Sequence, residues 1–389
     1  MTVRVNKSAF NIREKLSELA VKFGLKGSEL ARAETVQDAR DLISSGRKNI
    51  IHNGAMQVAQ RGTEVTSVVN AGLHTVDRFS FFLSNLGTWT VQQSTDAPDG
   101  FTKSFRVLCT TADASPAAGD RANISYSIEG HDCQRILSSS TSTHPLQLSF
   151  WVKSNRVGAA TLGIFQPDNS LRLFSTTYTI ESSNVWQRVV ISIPVDIAAG
   201  INDDNGSGLA FEWWMNGGSA YSGGTLQERW MAFDSTVRNA RNLGVGTEIG
   251  DQFLLTGVQL EVGKNVTEFE YRPYGEELAL CQRYYLRLNS QGSNHPIANV
   301  YGESGSQVYG TFHFPVQMRD APTFSYSATN HFSVVGGGTV TSGPTMFNST
   351  YLTAGIGANT AGSGTLAATA AGQLRFTSGA GWIAFAADI

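Results

Sequence analysis

The chain has 389 residues, enough for two or three domains that each bury a core of their own. Its net charge of −3 argues against a protein held to nucleic acid by phosphate neutralisation, which needs clustered Lys and Arg in excess. Nowhere do about 18 apolar residues run together, and the opening Met1 to Lys15 holds no apolar stretch of signal-peptide length, so no membrane insertion is expected.

Residues 1–49 carry sixteen charged side chains and helical punctuation. Asn11 with Glu14 three places later suits a helix start, and Ile12, Leu16 and Leu19 fall on one face, predicting a short helix over 12–20. Gly24 and Gly27 interrupt the pattern. A second apolar series, Val36, Ala39, Leu42 and Ile43, then runs to Gly46. Helices this short need a partner surface. That surface is either the chain's own β-structure or another protein.

From Ile50 to Tyr274 the pattern changes to short alternating runs between Gly, Asn, Asp and Ser clusters, which predicts an antiparallel β-sandwich. Leu148, Phe150 and Val152 alternate with Ser149, Trp151 and Lys153. Val189, Ile191 and Ile193 form a similar series, and Phe253, Leu255, Val258 and Leu260 close the region. An amphipathic restart at Glu276 to Tyr285 leads into a second β-module, whose last strand lies in Gly381 to Ile389. From Ala321 onward the only charged residues are Arg375 and Asp388, yet eight aromatic residues remain. That composition favours ordered β-structure over disorder, with a surface buried between chains or facing a ligand. The expected fold is therefore mainly β: a helical segment at 1–49, a sandwich at 50–275 and a smaller β-module at 276–389.

Three stretches carry a family resemblance: VNKSAFNIREKLSEL at Val5 to Leu19, IIHNGAMQVAQRG at Ile50 to Gly62, and the junction FLLTGVQLEVGKNVTEFEYRPYGEELALCQRYY at Phe253 to Tyr285. With FHFPVQMRDAPTF at Phe312 to Phe324, these resemble the modules of tail-fibre and related virion proteins of bacteriophages, especially those infecting marine cyanobacteria. The resemblance implies a jelly-roll sandwich like those of carbohydrate-binding modules. It also implies a homotrimer in the virion tail, assembled in the host bacterial cytoplasm, that attaches to host surface glycan or lipopolysaccharide. Ile12, Leu16, Leu19, Val36, Leu42 and Ile43 would then mount the chain on other virion tail proteins. A capsid or tail decoration protein is the alternative, and a glycan depolymerase a third.

Sugar recognition uses flat aromatic rings beside amide or carboxylate groups. In LAFEWWM, Leu209, Phe211, Trp213 and Met215 share one strand face, so Glu212 and Trp214 project from the other; Tyr221 follows in a Gly-rich loop. Trp151 projects opposite the core-facing Phe150. Trp151, Glu212, Trp214 and Tyr221 are the candidate sugar contacts, set against the reading that the two tryptophans pack beneath a loop or a neighbour. Trp186 reads as a core plug. Asp203, Asp204 and Asn205 have oxygen ligands for calcium but lack the later glutamate of a helix-loop-helix site, so a solvated turn is expected, with no metal and no cofactor. Glu129, Asp132, Glu212 and Glu228 are carboxylates without a spacing that fixes an acid pair, and the repeats of a parallel β-helix are missing; no enzyme is expected. Cys109, Cys133 and Cys281 lack metal-ligand spacing and read as packing residues.

Overall fold

The structure is a computed structural model describing residues 47–389 apart from 137–144, 169, 197, 199, 305, 337 and 362–365. The six proposed mounting residues, Ile12 to Ile43, lie outside the described residues. Every strand pairing among the described residues is antiparallel.

The first unit begins with β1 (Glu64–Gly72), β2 (Ser80–Ser94), β3 (Ser104–Thr111) and β4 (Arg121–Glu129). It continues through β5 (Leu146–Ser154), β6 (Gly158–Gln166), β7 (Arg172–Ile180), β8 (Gln187–Ile193) and β9 (Ser207–Gly217). The one-turn helix α1 (Ser219–Ser222), the short β10 (Met231–Ala232) and the long β11 (Gln252–Val262) complete it. The strands run in the order β10-β7-β6-β9-β4-β2-β3-β11-β5-β8, with β1 added onto β2. β2 joins the two layers, because Ser80 to Ser84 pair with β4 while Thr88 to Ser94 pair with β3. The layers face each other across one core. Phe150 of β5 meets Trp213 of β9 with ring centroids 5.8 Å apart and Tyr178 of β7 at 5.3 Å, both edge-on.

The period-two reading is what fills that core. Leu148, Phe150 and Val152, the series Val189 to Ile193, Leu209 to Met215, and Phe253 to Leu260 are all buried in the common cluster. Each such side chain removed from water stabilises the fold by about 1.5–3 kcal/mol. The three cysteines are buried and unpaired. Burial pushes the Cys109 thiol up to about 11, so it is inert packing.

The Ile50 and Phe253 motifs fold onto one another. The Asn49 side chain accepts from Ile51 N and Leu260 N and donates to the Val258 carbonyl at 3.1 Å. A Cβ at Gly54 would collide with that same carbonyl, so only glycine fits the crossing. Asn53, wholly buried at φ 57°, bonds Val58 on both its amide atoms and also donates to Asp77 O. Above them α2 (Tyr274–Gln282) turns Glu277 inward, where its carboxylate accepts from Asn53 N and pairs with Arg272. The expected amphipathic restart is thus a helix whose buried side includes an acid. The acid is there to receive backbone donors of the first motif.

After α2 come β12 (Tyr285–Asn289), β13 (Pro296–Ser304), β14 (Gln307–His313), β15 (Thr323–Tyr326) and β16 (Phe332–Val335). β17 (Gly338–Phe347), β18 (Thr353–Ala361), β19 (Ala371–Phe376) and β20 (Trp382–Ala386) follow. Six of these close a barrel, β13-β14-β18-β17-β16-β19, and β12-β20-β15 form a small sheet. The two cores are separate clusters, joined by polar bonds. Glu129 of β4, wholly buried, pairs with Arg283 and accepts from Tyr284 OH at 2.8 Å. Arg319 and Asn205 exchange bonds at 2.7 and 3.1 Å, and Arg61 pairs with Asp388 at 2.5 Å.

Candidate functional site

Glu212, Trp214 and Tyr221 do come together, but not as an open platform. Trp214 is wholly buried and Glu212 nearly so. The chain leaving β9 folds back over them as α1 and the turn Ser235–Val237, placing Tyr221 with its ring 5.1 Å from Trp214. The Trp214 indole donates to Glu212 at 2.9 Å, and Glu212 receives Arg238, whose guanidinium lies 5.2 Å from the Trp214 ring and 5.4 Å from Tyr221. Alternation put Trp214 on the correct face. The alternative reading, a tryptophan packed beneath a loop, is the one that holds for Trp214: later chain covers that face, and a buried indole cannot stack on a sugar. Arg238, the residue that ties the knot, lies 26 positions from Glu212 and gave no signal in the sequence.

Trp151 has a different setting. It stands on the outer face of β5, half-buried, opposite Arg188 of β8 and Thr256 of β11. β11 carries a bulge between Thr256 and Gln259, and Gly257 there has φ 61°. A Cβ at Gly257 would lie 2.7 Å from the Phe101 ring and 2.8 Å from that of Trp151, so both rings rest on the glycine. Phe101 packs in turn on Phe269 (5.0 Å) and Tyr271 (5.6 Å), and the Tyr271 ring is 59% exposed.

Trp186 joins this surface, contrary to its reading as a core plug. It is half-buried, its indole donates to Asp96 at 2.9 Å, and Lys153 Nζ sits 6.0 Å from its ring and 2.7 Å from the same carboxylate. Partial burial pushes the Asp96 carboxyl up, but hydrogen bonds from Lys153 and Trp186 with the nearby cations together outweigh it and hold the group below its ordinary range. Val189, Ile191 and Ile193 face the core and Arg188 faces outward, while Trp186 stands just before the strand. Two indoles, an exposed phenol and the charged groups Asp96, Lys153 and Arg188 thus share one outer face.

The acids weighed for catalysis are otherwise engaged. Glu129 and Glu212 are ion-paired with arginines, and Glu228 is exposed, with Thr176 Oγ1 at 3.5 Å as its hydrogen-bond partner. Asp132 is pushed up by burial and by neighbouring Glu129. It lines a cleft of about 370 Å³ with Arg47, Lys48, His52, Arg272 and Glu276. Burial chiefly, then nearby arginines, hold His52 well below its ordinary range, so it stands neutral. Asp203 pairs with His131 at 2.8 Å, Asp204 accepts from Gly206 N, and Asn205 donates to Arg319 O. The acidic run is a bonded turn. Among the described residues no group of three or more His, Cys, Asp or Glu is placed to hold a metal ion.

No family model matches the chain, and no curated protein matches it in sequence. Among solved structures it is similar to the enzymatically active domain of tailspike protein 4 of bacteriophage CBA120, with 15% identity and TM-score 0.30 over 55% of this chain. The chain spans about a fifth (21%) of that protein's length. It is also similar to the CBM22-1 xylan-binding domain of Paenibacillus barcinonensis Xyn10C, with 9% identity and TM-score 0.29 over 57% of this chain and 100% of that one. A third likeness is to TmCBM61 in complex with β-1,4-galactotriose, with 10% identity and TM-score 0.26 over 56% of this chain and 99% of that one. At these scores the likenesses carry nothing about ligand or role; what the structure itself shows is a mainly β chain built on an antiparallel sandwich.

Proposed function

We propose that this protein is a bacteriophage tail-fibre component that attaches to host surface glycan or lipopolysaccharide, with the outer face of β5 and β8 as the sugar contact. The observation that carries the reading is the pair of half-buried tryptophans, Trp151 and Trp186, held on one outer surface with Asp96, Lys153 and Arg188. Rings fixed in this way offer a sugar's C–H face a stacking surface at little entropic cost, and the charged groups reach its hydroxyls. The virion role rests on the sequence resemblance. In a homotrimer, three weak sites on one fibre gain avidity without any new contact.

The protein acts without turnover in this reading, in which the buried Glu129 and Glu212 serve as partners of arginines rather than as a free acid and base. Binding of purified protein to immobilised host lipopolysaccharide tests the proposal. Trp151→Ala and Trp186→Ala should each weaken binding at least tenfold while the thermal midpoint moves by only a few degrees. Unchanged affinity in both variants removes this face from the proposal, and new reducing ends after incubation with host polysaccharide would overturn the non-enzymatic reading.

A further inference from the structure

The outer face of the opposite layer holds an unanswered cation. Arg121 of β4 is half-buried, with its guanidinium 4.1 Å from the Phe82 ring and 5.7 Å from the Tyr221 ring. A guanidinium keeps its charge and five donors under all ordinary conditions. Seven other arginines, among them Arg172, Arg238 and Arg283, are in ion pairs with carboxylates. Among the described residues the Arg121 guanidinium has these ring contacts but neither an ion pair nor a hydrogen bond, and the acids of this region are occupied. Asp120 accepts from Ala117 N at 2.7 Å, and Glu212 is held by Arg238 and Trp214.

A second, independent anomaly lies two residues along the same face of the strand. Asn123 is wholly buried, between Phe82 of β2 and Trp214 of β9 in register, and neither atom of its amide has a partner. Buried polar groups are ordinarily bonded, and a bare amide beside a bare guanidinium marks a place for an acceptor. The flanking Phe82 and Tyr221 are rings of the kind that pack on sugar C–H groups.

We propose that Phe82, Arg121, Asn123 and Tyr221 form a second binding site, for an acidic sugar. Its carboxylate or phosphate lies on the Arg121 guanidinium in bidentate fashion, its ring packs against Phe82 and Tyr221, and Asn123 supplies an amide donor once the guanidinium turns onto the acid. This extends the glycan-binding reading to the other face of the sandwich. Its test is separable from that of the tryptophan surface.

The experiment is calorimetric titration of the full chain with glucuronate, glucose 6-phosphate, glucose and inorganic phosphate. At least one of the two acidic sugars should bind ten times or more tighter than glucose, and which one does so names the acid. Arg121→Gln should erase that preference, whereas Trp151→Ala should keep it. Should Arg121→Gln fold poorly, Tyr221→Ala serves instead, with weaker binding of the acidic sugar and inorganic phosphate unaffected. The proposal is overturned if glucose binds as well as both acids or Arg121→Gln keeps the preference. It also fails if inorganic phosphate matches the sugar acids, or if Trp151→Ala abolishes their binding.

Discussion

The sandwich and the C-terminal barrel both have to hide apolar surface and protect strand backbone, and they do so with different residues. The sandwich path ends in two edge strands, β8 and β10, and its polar groups are held in guanidinium–carboxylate pairs whose acids are buried, such as Arg238–Glu212, Arg172–Asp196 and Arg156–Asp251. The barrel closes on itself and has no edge to guard. Small residues let its strands and rings approach, as where the Tyr309 ring covers Gly357 and the Phe347 ring covers Gly355. Of its last two charges, Arg375 bonds Ser333 within the barrel and Asp388 pairs with Arg61 of the first unit.

Four substitutions sharpen the contrast, beginning with the joint between the units. Arg283→Ala strands the buried Glu129 carboxylate with Tyr284 as its remaining close donor. It should cost about 3–5 kcal/mol in denaturant unfolding, as losing one partner of a buried pair does. A loss below about 1 kcal/mol would show that the two units are held by something else.

Glycine substitutions on the two sides should then part company. Gly357→Val places a Cβ 2.7 Å from the Tyr309 ring and should lower stability by about 1–3 kcal/mol with lipopolysaccharide binding intact. Gly257→Ala meets both a positive φ and the Phe101 and Trp151 rings, so it should weaken binding as well. Equal binding by the two variants would disconnect the bulge from the sugar surface.

The smallest expected effect is a pH slope at Asp77, which touches both units through Gln60, Arg61 and Asp388. Burial first, against the pull of Arg61 and Gln60, pushes this carboxyl up to about 6. Its folded form therefore keeps a proton that the unfolded chain has already lost, and the stability this group confers falls as pH rises from about 4 through about 6. Measured as a thermal midpoint, Asp77→Asn should gain on the wild type across that window and hold a constant difference above it. A difference that stays flat from pH 4 to pH 7 would show that Asp77 ionises normally.

Alternation alone assigned the faces of β5, β8, β9 and β11, because in a half-buried sheet the period of two couples side-chain polarity directly to direction. It placed Trp151 outward, whereas Trp186, which precedes β8, lay beyond its reach. The sequence also marked the Ile50 and Phe253 stretches as belonging together, through a family resemblance. Occlusion it offered only as an alternative, without the residues that bring it about. Trp214 faces outward as its parity demands and is still dry, since α1 and Arg238 arrive from later in the chain to cover it. Barrel closure and the meeting of Asn49 and Gly54 with Val258 were likewise decided only in three dimensions. Local chemistry sets which way a side chain points; contacts between segments two hundred residues apart decide whether anything stands in front of it.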